Sequence, residues 1–210
     1  PLGGVFYLAA INCTKHMSSL FIGNKASEAG AIYQRDFNFS FASKCLFVKN
    51  QGLLSKGAIE HATGNTVQYV KVIFLKNHCF SSAGGISLTT INKLLILRCS
   101  FSKQSAYAYG AVSVRYFVRI LLFGSIFHGT INGHSGSVAL LDGMSVTAVN
   151  CTISQNKAES MGHLVIIHCL TTIIFYMLSV QNSASSGTSV LFTNRATSGG
   201  MFIYSSQFIN

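Results

Sequence analysis

Short hydrophobic segments alternate with polar positions along this chain at a nearly constant spacing. The stretch FIGNKASEAGAIY at residues 21–33 is followed by FVKNQGLLSKGAIEH at residues 47–61, with the same order of aromatic, polar and small residues. Small-small-aliphatic triplets recur every 26 or 27 residues, beginning at Gly3, Gly30, Gly57, Gly84, Gly110, Gly136, Gly162 and Thr188. A fixed period in this range predicts a repeat architecture.

Two further series keep the same period. A polar position precedes each triplet after the first, at Asn24, Asn50, Asn77, Gln104, Thr130, Asn156 and Asn182. Three residues before it stand Phe21, Phe47, Phe74, Phe101, Phe127 and Ile153, and Ser179 takes this position near the end. The Gly, Ser, Thr, Val, Ile and Phe content favours short strands with tight corners over helices. We therefore predict an all-β fold, a right-handed parallel β-helix (solenoid) of about eight coils, the handedness following the general preference of parallel crossovers.

Stacking of equivalent residues, about 4.8 Å apart in successive coils, explains the repetition. We predict an asparagine ladder of Asn24, Asn50, Asn77, Asn156 and Asn182, with Gly or Ala beside it to allow positive φ or close backbone approach at the bend. Strand alternation predicts inward side chains at three series of positions, represented by Phe47, Cys45 and Ser43, and an outward one at Lys44.

The Phe-x-x-Asn motifs at Phe21–Asn24, Phe47–Asn50 and Phe74–Asn77, with the Gly-Ala-Ile motifs at Gly30 and Gly57 and Gly-Gly-Ile at Gly84, carry a family resemblance. They resemble the repeats of chlamydial polymorphic outer membrane proteins and related surface β-helix proteins. The resemblance covers essentially the whole chain. It implies a right-handed parallel β-helix exposed at a cell surface and often adhesive. The chain departs from the family in its strongly basic charge and in the loss of the motif asparagine in coils 4 and 5, where Gln104 and Thr130 take its place.

Hydropathy raises a membrane alternative, because residues 163–180 form an uncharged run of about the length of a spanning helix. The run keeps the repeat register and ends on schedule at Asn182, so we predict strands and a protein that does not span a membrane. We expect a single domain over residues 1–210. Neither end shows a polar capping segment, so we also expect a fragment of a longer chain or a unit in a filament.

Six cysteines do not predict a disulfide framework. Cys45, Cys99 and Cys151 share one register position in alternate coils, about 9.6 Å apart, which is too far for a bridge. Three sequons, at Asn12, Asn38 and Asn150, are glycosylation candidates. Asn12 and Asn38 also share a register with Asn65 and Asn92, which indicates a second asparagine ladder as the alternative.

Catalysis is not predicted. The chain has five acidic residues, and the two that share a register, Asp36 and Asp142, are four coils apart, about 19 Å. Glycoside hydrolysis needs two carboxylates roughly 5 to 9.5 Å apart. Glu60 and His61 are adjacent on a strand and should face opposite sides. The seven histidines share no register, so we predict neither a metal site nor a cofactor.

The net charge of +10 is concentrated at particular positions. Two predicted basic ladders form a possible stripe for a polyanion, with a solvated face as the alternative: Lys44, Lys71 and Arg98, and Lys49, Lys76 and Lys103. Nucleic acid is not favoured, since no aromatic platform is interleaved with these charges. A third outward series is mainly apolar, interrupted by Ser100 and Thr152, and predicts an assembly stripe of Leu20, Leu46, Ile73, Ile126 and Leu178.

The sequence thus predicts a non-catalytic structural or adhesive β-solenoid, extracellular or at the cell surface, forming part of a filament or fibre. Its expected partners are copies of itself or neighbouring domains of a longer chain. The alternative is a β-helix that binds acidic polysaccharide; the shortage of carboxylates argues against one that processes it.

Overall fold

Successive repeats lie side by side as parallel strands in the computed structural model of the protein, which describes residues 4–54, 56–132, 134, 136–160, 162–185, 190–193 and 200–209. Within these residues the chain forms 28 strands and no helix, and the strands pair in parallel in three sheets. The predicted all-β solenoid is confirmed, with about seven turns. The repeat also sets the pairing, since Phe47 pairs with Phe74 and Phe101 with Phe127.

The first sheet has 13 described strands, because each coil contributes one strand or two strands around a corner. They are β1 (Phe6–Ala9), β2 (Cys13–Met17), β5 (Ile32–Arg35), β6 (Phe37–Ser43), β9 (Ile59–His61), β10 (Gly64–Val70), β13 (Ile86–Leu97), β16 (Val112–Phe123), β19 (Val138–Val149), β22 (Leu164–Ile167), β23 (Thr171–Phe175), β26 (Val190–Thr193) and β27 (Gly200–Tyr204).

The second sheet contains eight described strands, one from each coil. They are β3 (Leu20–Ile22), β7 (Leu46–Val48), β11 (Ile73–Leu75), β14 (Ser100–Ser102), β17 (Ile126–His128), β20 (Thr152–Ser154), β24 (Leu178–Val180) and β28 (Gln207–Ile209).

The third sheet is narrow, with seven described strands of two residues each. They are β4 (Lys25–Ala26), β8 (Gln51–Gly52), β12 (His78–Cys79), β15 (Ser105–Ala106), β18 (Ile131–Asn132), β21 (Lys157–Ala158) and β25 (Ser183–Ala184).

A column of stacked phenylalanine rings runs through the core behind the second sheet. The rings of Phe21, Phe47, Phe74, Phe101 and Phe127 are nearly parallel, with centroids 4.5 to 5.0 Å apart. Ile153 and the buried Ser179 continue the column. Burying one such ring stabilises the fold by about 2 to 3 kcal/mol, so this column is a main source of cohesion between coils.

Most coils have three corners that each contain one residue in the left-handed conformation. These corner residues correct two predictions. We expected Gly or Ala beside the asparagine ladder either to permit close backbone approach, as at Gly52, where an added Cβ would meet the backbone of Lys56, or to supply positive φ. Gly23 and Gly129 do so, but Lys49, Lys76 and Lys103 hold the same position at φ near 53°. Lys44 is likewise a corner at φ 53°, not a strand residue.

The corner at Lys44 also makes one predicted inward series wrong. A left-handed residue interrupts the alternation of a strand, so the side chain before the corner turns outward. Ser43 is accordingly half-buried and Met17 is 65% exposed, while the next residue back, represented by Tyr69 and Ile96, fills the core.

Differences in repeat length between coils 1 and 6 fall in one connection, the one that follows the third sheet. Ala26 and Gly30 are four residues apart, whereas Gly52 and Gly57, the next pair, are five apart. The strands of all three sheets therefore stay in register in these coils although the period varies between 26 and 27 residues.

Candidate functional site

The inner asparagine ladder closes the corner between the second and third sheets. Asn50 Nδ2 donates to Asn77 Oδ1 at 3.0 Å and to the carbonyl oxygen of Phe21 at 3.0 Å. Asn24 donates to Asn50, and Asn156 to Asn182, at 2.8 and 2.9 Å. Gln104 takes the next position of the ladder after Asn77, and its Oε1 accepts a hydrogen bond from Asn77 Nδ2. Because Asn50, Asn77 and Asn156 are fully buried, this ladder is structural and not a ligand site.

Two basic columns border the second sheet. Lys44, Lys71 and Arg98 lie at the corner before it, and Lys49, Lys76 and Lys103 lie at the corner after it. All six side chains are exposed. None forms an ion pair with an acidic residue in the described part of the chain. Since each coil lies about 4.8 Å from the next, the columns concentrate positive charge at both edges of one sheet.

The predicted assembly stripe lies on the outer face of this same sheet. Leu20, Ile73, Ile126 and Leu178 are exposed and Leu46 is half-buried. A second outward series runs beside it, with Ile22 exposed and Val48 and Leu75 half-buried. The structure therefore brings together two features that the sequence treated separately, namely an apolar strip and its two basic borders.

A groove of about 640 Å³ follows the corner inside the first sheet, away from the basic columns. One wall is the predicted second asparagine ladder, in which Asn92 donates to Asn65 at 3.1 Å and Asn65 donates to Asn38 at 2.9 Å. The other wall includes Asp36 and Thr90. The sequence showed this ladder but not the groove, which arises because the corner at Asp36 and Thr90, with φ of 53° and 57°, bends the sheet.

The three sequons differ in their surroundings. Asn12 and Asn38 line the groove and are exposed, but the hydroxyl groups of their sequons, on Thr14 and Ser40, are buried and hydrogen-bonded to each other at 3.2 Å. Asn150 projects from a corner at φ 52° and is exposed. Of the three asparagines, Asn150 thus has the most open setting for a glycan.

A polar cluster inside the first coils was missed from the sequence. His61 Nε2 lies 2.7 Å from the hydroxyl oxygen of Tyr69, and both residues are fully buried. Gln34 precedes His61 in a column that continues with Leu88 and Val114. Aligning the repeats would have shown Gln34 and His61 as polar residues in a column whose next members are aliphatic.

Burial lowers the pKa of His61 to about 3, with a smaller contribution from the nearby His16. Glu60 points to the other side of its strand, as expected, and its Oε1 lies 2.8 Å from Lys56 Nζ. Burial raises the pKa of Glu60, opposed by the hydrogen bond and charge of Lys56. These two groups have separate partners and do not form an acid–base pair.

The six cysteines are all unpaired, and five of them are buried. Cys45, Cys99 and Cys151 lie in one inward column, alternating with Val72 and Ser125. Burial raises the pKa of Cys79, Cys99 and Cys169 to about 11, which suppresses their thiolates. They pack as small apolar side chains.

Among the acidic residues, Glu28 lies near enough to Glu60 for its charge to raise the Glu60 pKa, whereas the two aspartates stay separated. Asp36 and Asp142 lie in one corner column, four coils apart, and Asp142 Oδ1 lies 3.0 Å from His168 Nδ1. Among the described residues no three His, Cys, Asp or Glu side chains are grouped so as to hold a metal ion.

Comparison of the chain with family models, with curated proteins and with solved structures gives no match. The parallel pairing of successive repeats defines the class of the protein, which is a parallel β-solenoid repeat protein. Residues 163–180, the apolar run, fold as strands β22, β23 and β24, and no helix in the described ranges is long and apolar enough to cross a membrane.

Proposed function

We propose that the protein is a non-catalytic structural or adhesive solenoid, located outside the cell or at its surface and forming part of a filament or fibre. One observation carries this proposal: the outer side chains recur in straight columns along the rod, in step with the strand pairing. Such a surface presents the same group many times, which gives avidity to weak contacts. The resemblance of the Phe-x-x-Asn and Gly-Ala-Ile motifs to chlamydial surface repeats supports the location.

The distribution of carboxylates favours the non-catalytic part of the proposal. Asp36 and Asp142 are about 19 Å apart along their column, beyond the roughly 5 to 9.5 Å of a glycosidase pair. Glu60 is buried against Lys56.

Imaging of the native particle tests the proposal. Immunogold labelling of intact source cells should mark their surface, and electron microscopy should show rods with strands stacked along the axis. Labelling that requires permeabilised cells, or solitary particles that degrade a polysaccharide, would overturn it.

Glycosylation belongs to the same proposal, and we expect a glycan at Asn150. Mass spectrometry of the native protein should show a modified Asn150 peptide, and Asn150→Gln should remove the mass of the glycan. Asn65 serves as the control, because it is an exposed asparagine without a sequon. An unmodified Asn150 would refute this expectation, and modified Asn12 or Asn38 would place the sugars along the groove instead.

A second candidate function, binding of carbohydrate, is favoured by the groove. Its wall of exposed amides repeats about every 4.8 Å, and amides both donate to and accept from hydroxyl groups. The basic columns lie elsewhere, so an uncharged polysaccharide suits this groove better than the acidic one expected from the sequence. Calorimetry with uncharged oligosaccharides should give binding that Asn65→Ala with Asn92→Ala removes, while Lys93→Gln leaves it intact. Unchanged binding in the double variant would exclude the groove.

A further inference from the structure

At strands β7 and β11 the second sheet presents a surface that is apolar in the middle and basic on both sides; the basic borders continue to Arg98 and Lys103 beside β14, where the polar Ser100 and Ser102 hold the middle positions. We call it the docking face. Its middle consists of Leu46, Val48, Ile73 and Leu75, and its borders are the two basic columns already described. Lys44 and Lys49 are five residues apart, so the borders are separated by at most roughly 16 Å. The apolar strip extends on one side to the exposed Leu20, and on the other side the exposed Ile126 follows the polar Ser100.

A second copy of this chain does not complement the docking face. Of its five acidic residues only Asp36 and Glu159 are exposed, and Asp36 lies 3.9 Å from Arg35. Face-to-face pairing of two copies would instead bring basic borders together, where like charges repel. The occupant that fits is therefore anionic.

The apolar strip determines what kind of anion fits. A soluble polyanion such as a sulfated polysaccharide or a nucleic acid would pair with the lysines, but it brings no acyl chains to cover Ile73 and Leu75. The surface of an anionic membrane offers both chemistries, since phosphate groups meet the lysines while apolar side chains enter the boundary between headgroups and acyl chains. Lysine stems can also extend sideways so that the ammonium group stays at the phosphate level.

We propose that the docking face binds the surface of a membrane that contains anionic phospholipid. The rod would lie flat, with its axis along the membrane and without crossing it. This inference is independent of the proposed adhesive function, because it rests on this one face and not on repetition along the rod.

Sedimentation with vesicles tests the proposal, using phosphatidylcholine alone and phosphatidylcholine mixed with phosphatidylglycerol. The unmodified chain should bind the mixed vesicles, bind the neutral ones weakly, and lose affinity as salt is added. The charge variant is Lys44→Asn, Lys71→Asn and Arg98→Asn, which is conformationally suitable because Asn150 occupies the same corner column. It should bind about a hundredfold more weakly at low salt, at about fivefold for each charge.

Two further variants make the test specific. The control, Lys93→Gln with Arg115→Gln and Arg119→Gln, removes three exposed charges from the first sheet and should keep nearly full binding. The apolar variant, Leu46→Thr with Ile73→Thr and Leu75→Ser, uses residues present at equivalent positions in Thr152 and Ser154. It should keep weak, salt-sensitive binding and lose the part that survives high salt. Circular dichroism establishes that each variant is folded.

Four results would overturn the proposal. The first is absence of binding to the mixed vesicles at low salt, and the second is an equal loss of vesicle binding in the control and charge variants. The third is binding of heparin together with vesicle binding that the apolar variant does not change. The fourth is a dimer in solution that the apolar variant dissociates. The third result would identify a soluble polyanion as the ligand, and the fourth a second copy of the chain.

Discussion

The imidazole of His61 is buried without a charged partner, and this makes the first coils sensitive to acid. Its Nε2 contacts the hydroxyl group of Tyr69, while Nδ1 has no hydrogen-bond partner in the described part of the chain. Folding therefore requires the neutral ring, whereas the unfolded chain binds a proton below the ordinary pKa of 6.5.

The expected result is a loss of stability as pH falls from 6.5 towards 3, by about 1.4 kcal/mol for each pH unit. Above pH 6.5 this contribution is constant. Glu60 has the opposite sign, because its raised pKa makes the folded state bind the proton more tightly. Urea unfolding across this range, compared with His61→Leu combined with Tyr69→Phe, isolates the effect of His61. The pH slope should become shallower in the double variant, and an unchanged slope would contradict the assignment.

At the scale of single residues the sequence predicted the core positions better than the corners. The period identified Phe47, Cys45 and Asn50 as members of stacked columns. It did not reveal that Lys44 and Lys49 adopt the left-handed conformation, because lysine has no preference for that region and its presence there costs about 1 kcal/mol. The cooperative pairing of the strands on either side determines those angles.

At the scale of single elements the inner ladder supplies a second prediction. Asn77 accepts from the backbone amide of Asn50 at 2.9 Å and donates to the carbonyl oxygen of Phe47 at 2.9 Å. Asn77→Ala leaves both groups buried and unpaired, so we expect a loss of about 2 to 5 kcal/mol. Asn65→Ala, in the exposed ladder, should cost about 0.5 kcal/mol or less. Chemical denaturation measures both, and equal losses would show that burial does not set the difference.

A third prediction concerns a size match between coils at the corner of the first sheet. The Phe117 ring occupies the space in which a Cβ at Gly143 would lie, and Phe37 relates to Gly64 in the same way. Gly143→Ala should destabilise by about 1 to 3 kcal/mol. Adding Phe117→Leu should recover part of this loss. Gly200→Ala is the control, since its Cβ would meet Phe202 only at 3.6 Å. Purely additive losses in the double variant would disprove the match.

At the scale of the whole molecule the unpaired cysteines allow a test of whether the native fold buries them. Cys13 is exposed and the other five are buried. A thiol reagent should label about one group in the native protein and all six in denaturant, and the thermal midpoint should not depend on reductant. Several rapidly labelled thiols in the native state, or a midpoint lowered by reductant, would contradict the buried, unpaired arrangement.

The period of the sequence was sufficient to predict the solenoid, because each residue repeats against its counterpart. The candidate surfaces were only partly predictable. The basic columns and the apolar stripe were visible as separate series, but their arrangement around one sheet depends on where the corners lie. The groove likewise depends on bends at Asp36 and Thr90; aspartate tolerates the left-handed conformation, but threonine at the same position of the repeat does not indicate a corner.

The connection after the third sheet takes up length differences without disturbing the register, and this has a practical consequence. Peptides of foreign sequence inserted after Gly52, Cys79 and Ala106 would be displayed in a row along one edge, about 4.8 Å apart. The rod would then serve as a scaffold on which short peptide epitopes are arranged at a spacing set by the β-sheet itself.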